Sequence, residues 1–467
     1  MKNNIISILA SALIVVSLNS CTKWLDVQPK TNISEHVLFE DEQGFKDALT
    51  GVYVKMASSS LYAREFTMAT MDVFAQQYDV SDNTHQYYEF GKFNYTNGGV
   101  KSRVNQFWNV GYNTIANINN LLASIDEKKE VFSDGYYELI KGEALGLRAF
   151  LHFDLFRAFG PIPTKGLQQK SIPYVDVFDM TIKPNLIADD FIKHCLHDLD
   201  EAIKLLESHQ AVNYGTVDPF KSHTRNHMNY WAAYALKARI YLYIGDKANA
   251  LANAKKVIDN EALFPFITRN NLTSGAPYRT FLPEQIFGIY VPTLKEINDA
   301  LFRGSSSSSA LTNKESFIVD LFEGSSTDFR SVFLWKTDGT TSQRYPMKYM
   351  TDDIQTNILN TKRVPLIRLS EVYYIAAEAV LDNAEKIGYL NKVRTNRGIS
   401  ALNLDLTESQ IENEIYKEYR KEFYQEGQLF FYYKRTNALR IFGYGQDMSE
   451  IEYVMPKPDD EIEFNNQ

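Results

Sequence analysis

The 467 residues exceed what one small hydrophobic core can organise, and with 44% hydrophobic and 23% charged residues they have the make-up of a globular protein of more than one lobe. A formal charge of -9 and no long basic stripe exclude a phosphate-binding, nucleic-acid face. The 2 cysteines exclude a disulfide framework, and 29 Tyr with 29 Phe supply more rings than a helical core needs.

Lys2 followed by the apolar run Ile5 to Leu18 reads as a signal segment, too short to span a membrane comfortably. It ends at Leu18-Asn19-Ser20-Cys21, so residues 1–20 are expected to be removed, and the mature chain is then one positive charge poorer. Residues 21–40 form a tether, and Pro29 and Ser34 interrupt regular structure there. A helical scaffold is expected over 41–260. Its first helix carries Phe45, Leu49, Val52, Tyr53 and Met56 on one face, with Asp41 and Glu42 signalling its start. Residues 61–104 then lose helical period and are rich in Tyr, Asp and Asn, as expected of a long functional loop.

Periodicity returns in Asn105 to Ile125, Tyr136 to Phe159 and Ala188 to Glu207; Gly160, Pro161 and Pro163 stop the second of these. In the third, Cys195 lies on the apolar face and reads as packing. Asn229 to Asp259 is a helix pair: Ala235, Ala238, Tyr241 and Leu242 form one stripe, Ala250, Ala254, Val257 and Ile258 the other, and Gly245-Asp246 turns between them. The spacing resembles part of a tetratricopeptide repeat, a unit that buries its apolar face only by stacking.

Residues 261–364, with Pro265, Pro277, Pro283, Pro292 and the serine run Ser305 to Ser309, predict a loop-rich lobe and a mobile serine loop. Helices resume over 365–467: Pro365 suits a first helical turn, Leu369, Val372, Tyr373, Ala376 and Val380 share a face, one long helix spans Glu408 to Arg435, and the tail from Tyr453 to Phe464 reads as extended.

Several segments, in order, resemble the SusD/RagB family of outer-membrane nutrient-binding lipoproteins. The Cys21 region resembles a lipobox, and Trp24 to Thr31 matches a WLDVxPKT-like stretch. Trp108, Tyr112, Ile115 and Asn119 resemble the family's WxxxYxxIxxxN. Gly142 to Pro161, through Glu143, Ala144, Leu147, Arg148, Phe153 and Arg157, resembles GEAxxLRAxxxFxLxRxFGxxP. Ala235 to Asp246, the run RLSEVYYIAAEA, NKVRTNRG, EYRKEFYQEG and the tail Pro456, Pro458, Glu461, Ile462 and Asn465 match the remaining motifs. The chain departs from them at Leu429, Phe430, Phe431 and Tyr432, where members often carry Arg, Trp, Phe and Asp.

The resemblance implies a mainly α, tetratricopeptide-like superhelix with a loop-rich lobe, anchored in the outer membrane through a lipid on Cys21. It also implies a SusC-like TonB-dependent transporter as partner, and a glycan or, in some members, a peptide as ligand. No cofactor or nucleic acid is expected, and membrane contact runs through the anchor alone. A glycan-active hydrolase and a purely structural or assembly role are the other classes open; 58 acids offer many carboxylate pairs, yet no motif singles out two.

A sugar needs a stacking ring for its C–H faces and polar groups for its rim. Such residues cluster at Asp79, Asp82, Asn83, Tyr87 and Tyr88 and again at Tyr278, Trp335, Arg344 and Tyr345, which are the expected ligand contacts. Trp108 belongs to a core stripe. Glu143, Arg148, Glu378, Arg394 and Arg397 are expected to bridge helices. His223 and His227 stand four apart without a third metal ligand, and the surroundings of His194 and His197 read as an amphipathic helix. Gly443-Tyr444-Gly445 lacks the later glycine of a dinucleotide loop and carries no chemistry.

Overall fold

The computed structural model describes residues 38–215, 218–275, 277–303, 309–339, 343–351 and 362–465. Cys21, the Trp24 to Thr31 stretch and Ser305 to Ser308 lie outside them. The fold is mostly helical.

Helix α1 (Glu42–Met56) starts where Asp41 accepts from Gly44 N at 2.9 Å and buries Phe45, Leu49, Val52 and Met56. Helix α2 (Gly98–Ile125) begins seven residues before the apolar period does, because Asn97 caps it through Gly99 N and Val100 N. Helix α3 (Tyr136–Phe159) is buried along nearly all its length and forms the centre of the scaffold. Helix α4 (Ala188–Leu205) packs closely on it: a Cβ on Gly142 would stand 3.2 Å from Leu205 Cβ, and one on Gly146 would stand 3.8 Å from Ala202 Cβ. Cys195 is fully buried in that packing.

The pair at 229–259 forms helices α5 (Tyr230–Tyr243) and α6 (Lys247–Ile258). Gly245 takes φ +86°, Gly245 N donates to Leu242 O at 3.1 Å and Asp246 N to Tyr241 O at 2.9 Å, a Schellman closure. Asp246 then caps α6 through Asn249 N at 3.0 Å. Ala250, Ala254 and Val257 seal the seam.

Strand β1 (Gln285–Tyr290) lies in the loop-rich region, after a short helix at Arg269–Thr273. A helix α7 (Glu315–Leu321) and a hairpin of β2 (Trp335–Thr337) and β3 (Arg344–Pro346) follow. Strand β4 (Arg363–Arg368) pairs antiparallel with β1. Pro365 therefore lies in a strand rather than in a first helical turn. It stands opposite Gly288, beside a register irregularity between Phe287 and Gly288 where a missing N–H is tolerated.

Helices α8 (Leu369–Ala379), α9 (Asn383–Asn396), α10 (Glu408–Glu422) and α11 (Gln428–Thr436) complete the scaffold. The single helix expected from Glu408 to Arg435 is thus broken. Gln425 and Gly427 take φ +64° and +67°, and the two Asp72 carboxyl oxygens accept from their N–H groups. The tail from Tyr453, expected extended, carries a short helix at Asp459–Asn465; another short helix, Glu450–Tyr453, leads into it and is held by a Ser449/Glu452 capping box.

The motif charges act as cross-ties. Arg148 grips Asp198 with two bonds of 2.6 and 2.7 Å and reaches Asn119 at 3.0 Å, joining α2, α3 and α4. Arg239 grips Glu371 with bonds of 2.6 and 2.7 Å, joining α5 to α8. Arg435 holds Glu378, and Arg394 reaches Glu414 and Glu418. Arg397 takes Glu284 on one side and Glu422 on the other, with Arg330 and Arg368 also on Glu422. The ties of Arg148, Arg239, Arg330, Arg368 and Arg397 are buried, those of Arg394 and Arg435 partly so, and each buried guanidinium meets its desolvation through paired, hydrogen-bonded carboxylates.

Candidate functional site

A cleft of about 510 Å³ opens where the 76–92 segment meets α7 and the 442–443 turn. Its polar wall is Gln76, Asp79, Ser81, Lys92, Asn313, Lys314, Ser316 and Asp320, and its rings are Tyr78, Tyr88, Phe317 and Phe442.

The geometry is imposed from behind. Buried Asn313 donates to Gln77 O at 2.9 Å and to Tyr424 Oη at 2.7 Å, while its backbone exchanges two bonds with Arg344. Gln76, at φ +56°, donates through Nε2 to Gly91 O, and Gln77 through Nε2 to Arg420 O. Gly443, at φ +81°, passes close to Gln76, whose Cβ would lie 3.2 Å from an added methyl. The loop is therefore held by the C-terminal third of the chain.

Phe442 stands 5.7 Å from Phe317, edge to face, and the Arg420 guanidinium carbon lies 3.9 Å from its ring centre. That ring is 37% exposed, which makes it available for stacking. Lys92 Nζ lies 3.9 Å over the Tyr88 ring. Asp79 is partly buried, which alone would raise its pKa; the Ser81 hydroxyl and N–H and the Lys314 ammonium outweigh burial and hold it below the usual carboxylate range. Asp320 lies 3.7 Å from Arg420.

Of the residues singled out from sequence, Asp79 and Tyr88 line the cleft. Asp82 and Asn83 are exposed on the same loop, with Asp82 accepting from Thr84 N and Oγ1 at 2.8 Å. Tyr87 points inward: it is 1% exposed and its hydroxyl lies against Glu65 and Arg64. Trp335 is buried against Tyr424 at 4.7 Å, and Tyr345 is buried in β3. Arg344 is spent on Glu315 and on the backbone of Asn313, so it braces the cleft from outside. Tyr278 is half-buried, away from the lining, its N–H on Asn271 O. Lys92, Lys314, Phe317, Asp320 and Phe442 were missed, although the Gly443 turn was a local sign that the chain bends there.

Two other concavities are less suited to a sugar. One of about 800 Å³ sets Tyr53, Val54, Pro219, Phe220, Ile289, Tyr290 and Pro292 beside polar groups such as Gln43, Thr50 and Asn226, and its charged Lys46 and its His227 are already engaged by Glu42 and Glu143. One of about 670 Å³ contains charges already paired, Glu378 with Arg435 and Lys386 with Glu408.

Two family models match: one described as starch-binding associating with outer membrane covers residues 23–242, and that of the SusD family covers residues 311–466. The chain belongs to the SusD/RagB family. Among SusD-like relatives, protein P38 of Formosa agariphila is 23% identical over 511 residues, 95% of this chain and 94% of that relative. Protein P2 of the same organism is 23% identical over 256 residues, 54% of this chain and 46% of the relative, so that match spans about half the relative's length. A SusD superfamily structure from Bacteroides thetaiotaomicron superposes with a TM-score of 0.72 at 21% identity, covering 91% of this chain and 98% of that one. A SusD-like carbohydrate binding protein from Bacteroides vulgatus gives 0.72 at 19%, covering 91% and 97%. At these identities the likeness speaks for the fold, the helical SusD arrangement.

Proposed function

We propose that this SusD-family protein is a non-catalytic, outer-membrane lipoprotein that binds a nutrient oligosaccharide in the 510 Å³ cleft and hands it to a SusC-like TonB-dependent transporter. The observation that carries the reading is the pairing of half-exposed rings with a dense polar rim, the two surfaces a pyranose presents. The family description and the carbohydrate-binding relative favour a glycan over the peptide alternative. Against hydrolysis stands the state of the carboxylates: a glycosidase needs one acid with a raised pKa, whereas Asp79 is held low and Asp320 faces Arg420.

No helix among the described residues is long and apolar enough to cross a membrane. Attachment is assigned to acyl chains on Cys21, each buried methylene contributing about 0.8 kcal/mol. A tethered binder works at high local concentration beside the pore, so weak capture suffices.

Isothermal titration with a glycan panel and a peptide mixture tests the ligand class. Heat from a glycan that Phe442→Ala reduces supports the reading; heat from peptides alone overturns it, as does release of reducing ends on prolonged incubation. Membrane partition of Cys21→Ala in cells lacking the transporter tests the anchor, which is lost from the membrane if Cys21 carries the lipid.

A further inference from the structure

We propose that the buried guanidinium groups of Arg225 and Arg363 enclose a binding site for one small inorganic anion, a halide or an oxyanion such as sulfate, where the 3₁₀ turn Thr224–Asn226 meets β4. Arg225 is 2% exposed and Arg363 1%. The other buried arginines of the cross-ties, Arg148, Arg239, Arg330, Arg368 and Arg397, each meet a carboxylate. Among the described residues these two meet none.

Their remaining contacts are neutral. Arg225 Nη2 donates to Leu263 O at 2.6 Å and Pro283 O at 3.3 Å, its guanidinium carbon lies 4.3 Å from the Tyr214 ring centre, and the neutral Tyr214 hydroxyl supports its charge from one side. Arg363 Nη2 donates to His223 Nδ1 at 3.1 Å. Nε and Nη1 of both arginines are enclosed and have no acceptor. The two groups feel each other: burial first, and then the charge of Arg225, push the Arg363 guanidinium down to about 10. Burial likewise lowers Arg225, and burial and Arg363 keep His223 below the ordinary imidazole range and hence neutral.

Two like charges therefore sit together in a poorly polarisable interior with four nitrogens unused. Water could accept those N–H groups but leaves the two positive charges unbalanced; an anion answers both needs. The enclosure sets the size, because the four nitrogens expose almost no surface and admit no bulky ligand. The turn packs on β1, and Tyr290 of β1 stands opposite Arg363 in the ladder. An anion there would bind the 3₁₀ turn to the β1–β4 pair by charge as well as by packing.

The test uses the mature full-length chain in gluconate buffer at constant ionic strength, with bromide, chloride or sulfate added in separate melting series. A saturable rise in Tm of about 2 °C with one of them is expected. It should vanish in Arg363→Met, while Lys183→Gln at a surface site keeps it. In gluconate alone, Arg363→Met should melt at or above the wild type, since an unbalanced charge is gone. If wild type and variant respond alike and without saturation, the proposal is overturned. Should the variant not fold, crystals of the wild type grown in bromide decide: an anomalous peak between the two guanidinium groups supports the site, and its absence together with no saturable response to sulfate sinks it.

Discussion

Phe442 keeps one face on the Arg420 guanidinium and leaves 37% of its surface open, so its position is set before any ligand arrives. A ring held in this way costs little entropy to stack on. Phe442→Ala is expected to weaken glycan binding about tenfold, roughly 1.4 kcal/mol, with Tm nearly unchanged. Trp335→Phe, behind the cleft against Tyr424, should leave affinity alone and lower Tm, and titration calorimetry with parallel melts separates the two. Asp72 shows a different use of a buried side chain. Burial outweighs the N–H groups of Gln425 and Gly427 and the nearby Lys348 charge, and pushes its carboxyl up to about 8. The fold thus holds this proton where the unfolded chain, with a value of 3.8, releases it. Stability from this residue is full below pH 3.8 and declines as pH rises towards 8. Melting curves of wild type and Asp72→Asn between pH 4.5 and 8 should show the wild type losing ground to the variant as pH rises; parallel curves would contradict the assignment.

At the scale of elements, two glycines with left-handed backbones separate conformational cost from contact cost. Gly245, at φ +86°, has open space where a Cβ would go. Gly427, at φ +67°, would place that Cβ 2.5 Å from Phe66 O. Gly245→Ala should cost about 1 kcal/mol and Gly427→Ala about 3 kcal/mol or more, measured by chemical denaturation. The contrast also explains what could be read without coordinates. Gly245-Asp246 was legible because stripe, cap and turn lie within a few residues of one another. The break at Gln425 was not, since its cause is Asp72, 353 residues away. Pro365 was assigned to a helix for the same reason: its strand partner Gly288 lies far back in the chain. Tyr87 and Tyr88 carry the same rings in the same loop, and only the placement of Glu65 and Arg64 decides that one faces inward. The scaffold helices were legible from local period, whereas the cleft is assembled from three remote segments, and so only Asp79 and Tyr88 of its wall were anticipated.

At the scale of the molecule, Glu422 is the joint between the loop-rich region and the C-terminal helices. It meets Arg330, Arg368 and Arg397 at once, with Glu284 and Glu418 completing the cluster. Burial alone would raise its pKa, but Arg397 and Arg368 carry it well below the carboxylate value of 4.5. Its contribution is therefore present above about 4.5 and lost as acid protonates it, opposite in sign to that of Asp72. Glu422→Gln leaves three buried guanidinium groups short of one charge and should cost about 3–5 kcal/mol. Denaturation followed by both tryptophan fluorescence and circular dichroism should then show a lower midpoint.

The Asp72 carboxyl group, bound to the backbone at Gln425 and Gly427, also sets an order of events during synthesis. Gln77 waits for Arg420 O, and Tyr95 for Glu452 O, across 343 and 357 residues. The first hundred residues thus contain donors and acceptors whose partners leave the ribosome almost last. Closure of such long loops is slow, and until it happens the cleft wall has no back. Until its final tenth has emerged, the nascent chain lacks the N–H groups of Gln425 and Gly427 that Asp72 takes, so this part of the fold closes only after nearly all of the chain has been made.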